Sequence, residues 1–257
     1  MIRPRMLLLP LLLALPGLPA RAEAPCASPS QVADAALADV YTSIIEAVDE
    51  NLVIDNISAT MTSQMATADP AMAVLEKAYP GLSAAIVAAV RPHLMGYTRR
   101  VRELYRPRMI AVIAGHLTVA EAREVAAFYR SPVGRKLLGG VVRNTDGKNA
   151  MAVAIKDKAV TGEALTADSR SAVQRAMAGL TGDDFAEIGR QARAHPALLK
   201  LNSLAAALRP VRLEMENSPL IPAEEAAIQQ AIETAVTDHL AKAVREPASE
   251  PARDTAK

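Results

Sequence analysis

The chain has 257 residues, with 29 Lys or Arg against 28 Asp or Glu, so its near-neutral balance demands no polyanion and sets nucleic acid aside as a partner. One cysteine allows no internal disulfide, and stability must come from a core that this length can build as one or two compact domains. Tryptophan is absent, aromatics make up 3%, and no stretch alternates β-branched with polar residues, which weakens a sugar-stacking role and predicts an all-α fold.

Met1 to Ala24 reads as a secretory signal. Arg3 and Arg5 form a positive start, Met6 to Leu18 an apolar stretch, and Ala20-Arg21-Ala22 or Ala22-Glu23-Ala24 a small-x-small site, so cleavage is expected after Ala22 or Ala24 and the destination is the periplasm. The run is too short, and too broken by Pro10 and Pro16, to span a bilayer; no later stretch qualifies. Cleavage after Ala22 removes Arg3, Arg5 and Arg21 and leaves 26 basic against 28 acidic residues. Cys26 follows. Glu23 and Pro25 suit a lipoprotein signal badly, which favours an incidental thiol over a lipid-modified one.

Leu37, Val40, Ile44, Val48 and Leu52 step by three and four along a first helix beginning near Ser30, and Ile57, Met61 and Met65 continue the period after a break around Asn56. Asp69-Pro70 opens a short helix that Pro80-Gly81 closes. Ile86, Val90, Leu94, Val101 and Leu104 mark a long helical stretch that Pro92 and Pro107 should kink or divide. Arg91, Arg99, Arg100, Arg102, Arg106 and Arg108 stand there against Glu103 alone. Arg99, Arg102 and Arg106 share a helical face and are a candidate weak contact with an anionic surface, such as lipid headgroups or an envelope polymer. The favoured alternative is a solvated face whose long side chains cover apolar neighbours and pair with acids elsewhere.

The best-punctuated stretch is Leu117 to Leu138, LTVAEAREVAAFYRSPVGRKLL. Thr118 and Glu121 form a capping box, and Val119, Ala122, Val125, Ala126 and Tyr129 make one apolar stripe. Ser131-Pro132 ends that helix and caps another, giving an elbow in which Gly134 lets the two backbones approach. The run FYRSPVGRK after an LTxxE start resembles the bacterial domain of unknown function 2059 family. The resemblance covers about a tenth of the chain and implies an exported, mostly helical domain with no established activity to carry over. Tyr129 and Arg130, at the corner, are the best candidates for a recognition surface; the favoured alternative has Phe128 and Tyr129 packing the two helices together.

Shifted by 63 positions, Leu117, Thr118, Glu121, Glu124, Val125 and Arg130 fall on Leu180, Thr181, Asp184, Glu187, Ile188 and Arg193; with one inserted residue, Pro132, Lys136 and Leu137 fall on Pro196, Lys200 and Leu201. The reading is a second, degenerate copy of the hairpin with a Leu180–Phe185 staple, each copy placing one of the two phenylalanines in a core. Gly139-Gly140 and Asn144 to Gly147 read as loop or helix-end chemistry, and Met151, Ile155 and Ala159 as a short helix. Leu201, Leu204 and Leu208 run to a stop at Pro210, and a last helix starts near Pro222 with Glu224 and Glu225 on its N-terminal dipole.

The search for chemistry is thin. His93, His116, His195 and His239 are isolated, Asp183-Asp184 is explained by its helix start, and no phosphate loop, dinucleotide fingerprint or nucleophile elbow occurs. No catalytic residue, metal or cofactor is expected. The sequence therefore predicts a signal over 1–24, a helical region over 25–147 with the FYRSPVGRK hairpin, another over 148–245 with the degenerate one, and a disordered tail over 246–257. The expected role is an exported, non-catalytic binding or envelope-associated module with an unknown protein or envelope component as partner. The competing reading is a hydrolase-like enzyme with a dispersed site.

Overall fold

The computed structural model describes residues 29–245 apart from 69 and 157, so the signal over 1–24, Cys26, Asp69 and the tail lie outside the described residues. Among them there is no strand, and the fold is all-α.

Helix α1 (Pro29–Glu46) and α2 (Glu50–Ala68) are separated at Ala47-Val48-Asp49, earlier than the break expected near Asn56. The physical reason is Asp49, whose carboxylate accepts from the Leu52 N–H at 3.1 Å and so starts a new helix; Asn56 lies inside α2 and donates to the Val142 and Arg143 carbonyls. After α3 (Pro70–Ala78), Gly81 turns the chain at φ 89° into α4 (Leu82–Ala114). Of the two outcomes expected of Pro92 and Pro107, division of α4 does not occur. Both prolines face solvent, where water satisfies the carbonyl that each leaves free, while Leu82, Ile86, Val90, Leu94, Tyr97, Val101, Met109 and Ile113 are buried along the other side.

The elbow forms as the sequence predicts. In α5 (Val119–Arg130) the Thr118 hydroxyl accepts from the Glu121 N–H at 3.3 Å, and the Glu121 carboxylate accepts from the Thr118 N–H at 2.9 Å. Ser131 then caps α6 (Pro132–Arg143), accepting from the Gly134 N–H and donating to the Phe128 carbonyl. Gly139 and Gly140 lie inside α6 rather than in a loop, because a Cβ on Gly140 would stand 3.1 Å from that of Ala176 and the bare backbone is what lets the next helices pack close.

Helix α7 (Lys148–Ala154) leads to α8 (Gly162–Ala178), which has no counterpart in the sequence reading: its buried face is mostly Ala164, Ala172 and Ala176, with no stripe of large apolar residues to reveal it. Then come α9 (Gly182–Ala194), a 3-10 turn (Pro196–Lys200), α10 (Leu201–Glu216) and α11 (Pro222–Arg245). Helix α10 passes through Pro210, which is exposed, and so overrides the expected stop. Thr181 and Asp184 form a second capping box. The core position expected for Phe185 is not found: no residue of α9 is buried, and Phe185 is 43% exposed. Lys136 of α6 pairs with Asp184, and Lys200 pairs with Glu121 at 2.6 Å.

Helix α4 is the axis, packing against α1, α2, α3, α10 and α11. Two buried clusters form around it. One holds Ile54, Ile57, Ile86, Met151, Leu165 and Ile228; the other holds Val40, Ile45, Tyr97, Ile113, Val125 and Leu204. Each such side chain contributes about 1.5–3 kcal/mol when fully buried. No single described helix is long and apolar enough to cross a membrane.

A Cβ on Gly134 would lie 2.0 Å from the Phe128 carbonyl oxygen, which belongs to the backbone and cannot step aside cheaply. Gly134→Ala is expected to lower stability by about 2–3 kcal/mol in urea unfolding; an unchanged midpoint would mean that the elbow can open freely.

Candidate functional site

The arginines of α4 meet acids one by one. Arg91 reaches Asp55 at 2.7 Å, Arg99 and Arg102 share Glu50 at 2.9 and 3.2 Å, and Arg100 forks onto Glu224 at 2.6 and 2.7 Å. Arg106 lies 3.7 Å from Glu103, and Arg108 pairs with Glu214. Of the three residues read as one face, Arg102 is buried at 2% exposure, while Arg99 and Arg106 stay accessible. Arg130 forks onto Asp39 at 2.6 Å through both terminal nitrogens and reaches Glu46 at 3.3 Å, which ties the end of α5 to α1 and holds the Asp39 carboxyl below its ordinary range. Tyr129 packs against the second cluster, 5.5 Å from the Phe128 ring centroid, and burial pushes its hydroxyl up to about 12. A polar cleft lined by Ser43, Glu46, Ala47, Arg130 and Arg135 adjoins them.

Two of the buried polar atoms that lack partners among the described residues lie elsewhere, at the seam between the two buried clusters. There a cavity of about 330 Å³, partly open to solvent, is lined by five helices and the start of α2. Tyr41, Ile44 and Ile45 come from α1, Met109 and Ile113 from α4, Val141 and Val142 from α6, Ala172 and Val173 from α8, and Leu208 and Arg212 from α10. The lining is mainly apolar and holds neither histidine nor cysteine. The Tyr41 hydroxyl and Arg212 Nε are both buried without a hydrogen-bond partner.

Arg212 is the unusual member. Its side chain forms no hydrogen bond or ion pair with any described residue, whereas those of the α4 arginines all do. Desolvation draws its pKa down, with Glu216 opposing and Arg209 adding to the fall. Glu216, one turn further along α10, makes no ion pair with it; burial pushes its carboxyl up to about 8, Arg212 pulling it down and Asp168 raising it further. Asp168 is already committed. Its two oxygens accept from Asn149 N–H and side-chain amide and from Ala150 N–H, at 2.7–3.0 Å, and so close the start of α7.

Residues 106–139 match the model of a family described as "Uncharacterized protein conserved in bacteria (DUF2059)". Over those residues the chain is similar to DUF2059. The matched segment spans the end of α4, all of α5 and α6 as far as Gly139, and it lends Met109 and Ile113 to the cavity wall. The DUF2059 match brings no activity and no residue roles. No curated protein and no solved structure matches the chain.

Sequence reasoning missed Arg212, Glu216, Asp168 and Tyr41. The first two lie beyond Pro210, where the helix was expected to stop. A signal was present, because Leu201, Leu204, Leu208, Val211 and Met215 keep the three-and-four spacing across the proline. Among the described residues no three His, Cys, Asp or Glu side chains converge on a metal-sized site.

Glu216 has a raised folded-state pKa, so the native protein holds a proton that the unfolded chain releases near 4.5. Its contribution is whole below about pH 4.5 and is lost as pH rises toward 8. Glu216→Gln is expected to remove a decline of a few kcal/mol between those limits and to be the more stable protein at pH 8. Wild-type and variant urea midpoints that run parallel from pH 5 to 8 would contradict this.

Proposed function

We propose that this chain is an exported, non-catalytic binding module whose ligand occupies the cavity between α1, α4, α6, α8 and α10. The observation that carries this reading is the cavity itself: about 330 Å³, within the range of small-molecule sites, mainly apolar, and placed where two close-packed clusters fail to merge. Export is supported by the composition of Met1 to Ala24.

The hydrolase-like alternative finds less support. A dispersed catalytic site would gather a base and a nucleophile in hydrogen-bond reach, and the carboxylate in the cavity wall, Asp168, spends its oxygens on the α7 start. The acids facing α4 are likewise consumed by its arginines, which leaves a weak contact of Arg99 and Arg106 with an anionic surface as a secondary proposal.

The same reading includes a duplication of the helical hairpin. Under the 63-residue shift Glu121 aligns with Asp184 and, past the one inserted residue, Lys136 aligns with Lys200; the pairs found are Lys136–Asp184 and Lys200–Glu121. Each copy thus holds the other through equivalent residues, as the halves of a two-fold interface do.

A neutral fluorescent probe such as phenylnaphthylamine is expected to bind the purified protein at micromolar concentration, one per chain. Ala205 is exposed and lies on the cavity wall, so Ala205→Trp should obstruct the site without unfolding the protein. Binding is expected to fall at least tenfold in that variant. Wild-type protein that leaves the probe dark, or a variant that binds it equally, would remove the reading.

A further inference from the structure

The cavity is not uniformly apolar. At its α10 side it joins a smaller chamber of about 120 Å³ lined by Leu165, Thr166, Ser169, Ala205, Arg209 and Arg212, and the two spaces share Ser169, Ala205 and Arg212. The larger chamber therefore opens into a smaller one whose lining, still mainly apolar, includes two arginine side chains and two hydroxyls, with Arg212 at the junction. Arg209 is exposed and marks the outer side.

Charge at that junction is incomplete. Arg212 and Arg209 stand close enough to depress the Arg212 pKa, and no carboxylate pairs with either. Glu216 is the nearest acid to Arg212 on its own helix, and its burial favours the neutral form. Asp168 faces the same region from α8, but its oxygens are occupied by the start of α7. The Arg212 guanidinium, half-buried with its Nε fully covered, stays charged and carries several donors in a planar fork that suits a carboxylate, so the component that fits there is a single anionic head.

Building on the reading of the cavity as a binding site, we propose that its ligand is a single-chain amphiphile with a carboxylate head, the tail lying among Ile44, Ile45, Ile113 and Val142 and the head meeting Arg212 and Arg209. At roughly 30 Å³ per non-hydrogen atom the larger chamber takes a tail of about ten or eleven carbons. The class is therefore a medium-chain carboxylate. The Arg212 fork orients the head, the apolar walls provide the affinity, and Thr166 and Ser169 line the chamber around the head.

The test displaces bound phenylnaphthylamine from the purified protein with decanoate, decanol and decyltrimethylammonium. Decanoate is expected to displace the probe at a concentration at least tenfold below either of the others. Arg212→Met is expected to erase that preference, read as the ratio of the three displacing concentrations within the variant; Arg212→Lys, which keeps the charge, should retain part of it. If the probe binds but the three amphiphiles compete equally, or the cation competes best, the carboxylate inference falls and the cavity reading stands. If the probe does not bind at all, both fall. Should Arg212→Met itself fail to hold the probe, the three-way comparison on wild-type protein decides alone.

Discussion

A guanidinium held among helices without a carboxylate to meet it is costly, and the rest of this structure determines that Arg212 sits in that position. Helix α10 is pinned at both ends. At its start Lys200 binds Glu121, and behind its end Asn217 exchanges two hydrogen bonds with the Val160 backbone, at 2.8 and 3.0 Å. Between them Arg108 binds Glu214, and Leu204, Val211 and Met215 are buried against the second cluster. With the helix fixed by these contacts, residue 212 projects into the seam between the clusters. A mainly apolar cavity ending at one unpaired charge follows from that placement.

Comparison with α4 sharpens the point. That helix carries six arginines, and each finds an acid on a neighbouring element or on α4 itself, so the charges that look most functional in the sequence are used for holding α2, α10 and α11 in place. Arg130 serves α1 in the same way through Asp39 and Glu46. The segment matched by the DUF2059 model supplies the corner of this framework: its capping box, Ser131 elbow and Gly134 fix the angle between α5 and α6, and through Lys136 and Glu121 it meets α9 and the start of α10. Its contribution to the cavity is one wall.

The parts of the fold that were legible in the sequence are those decided by adjacent residues. The Thr118 and Thr181 capping boxes, the Ser131-Pro132 elbow and the start of α11 each depend on groups three or four positions apart, and they form as read. Where tertiary packing competes with a local rule, the rule fails. Pro92, Pro107 and Pro210 sit on exposed faces and their helices continue past them; Gly140 serves a helix crossing; and α8 is held by alanines too small to mark a stripe. The cavity was illegible for the same reason. Its walls come from α1 to α10, and Arg212 becomes notable only when the acids around it are seen to be neutral or committed elsewhere.

The most direct measurement is the unfolding free energy of Arg212→Met relative to wild type, in urea and without added ligand. An arginine side chain that makes no ion pair with any described residue predicts a variant as stable as wild type or more stable, since methionine fills a similar volume and removes an unpaired charge. A loss of about 3–5 kcal/mol, the size expected for breaking a buried ion pair, would show that Arg212 already has its partner within the chain and would contradict the account.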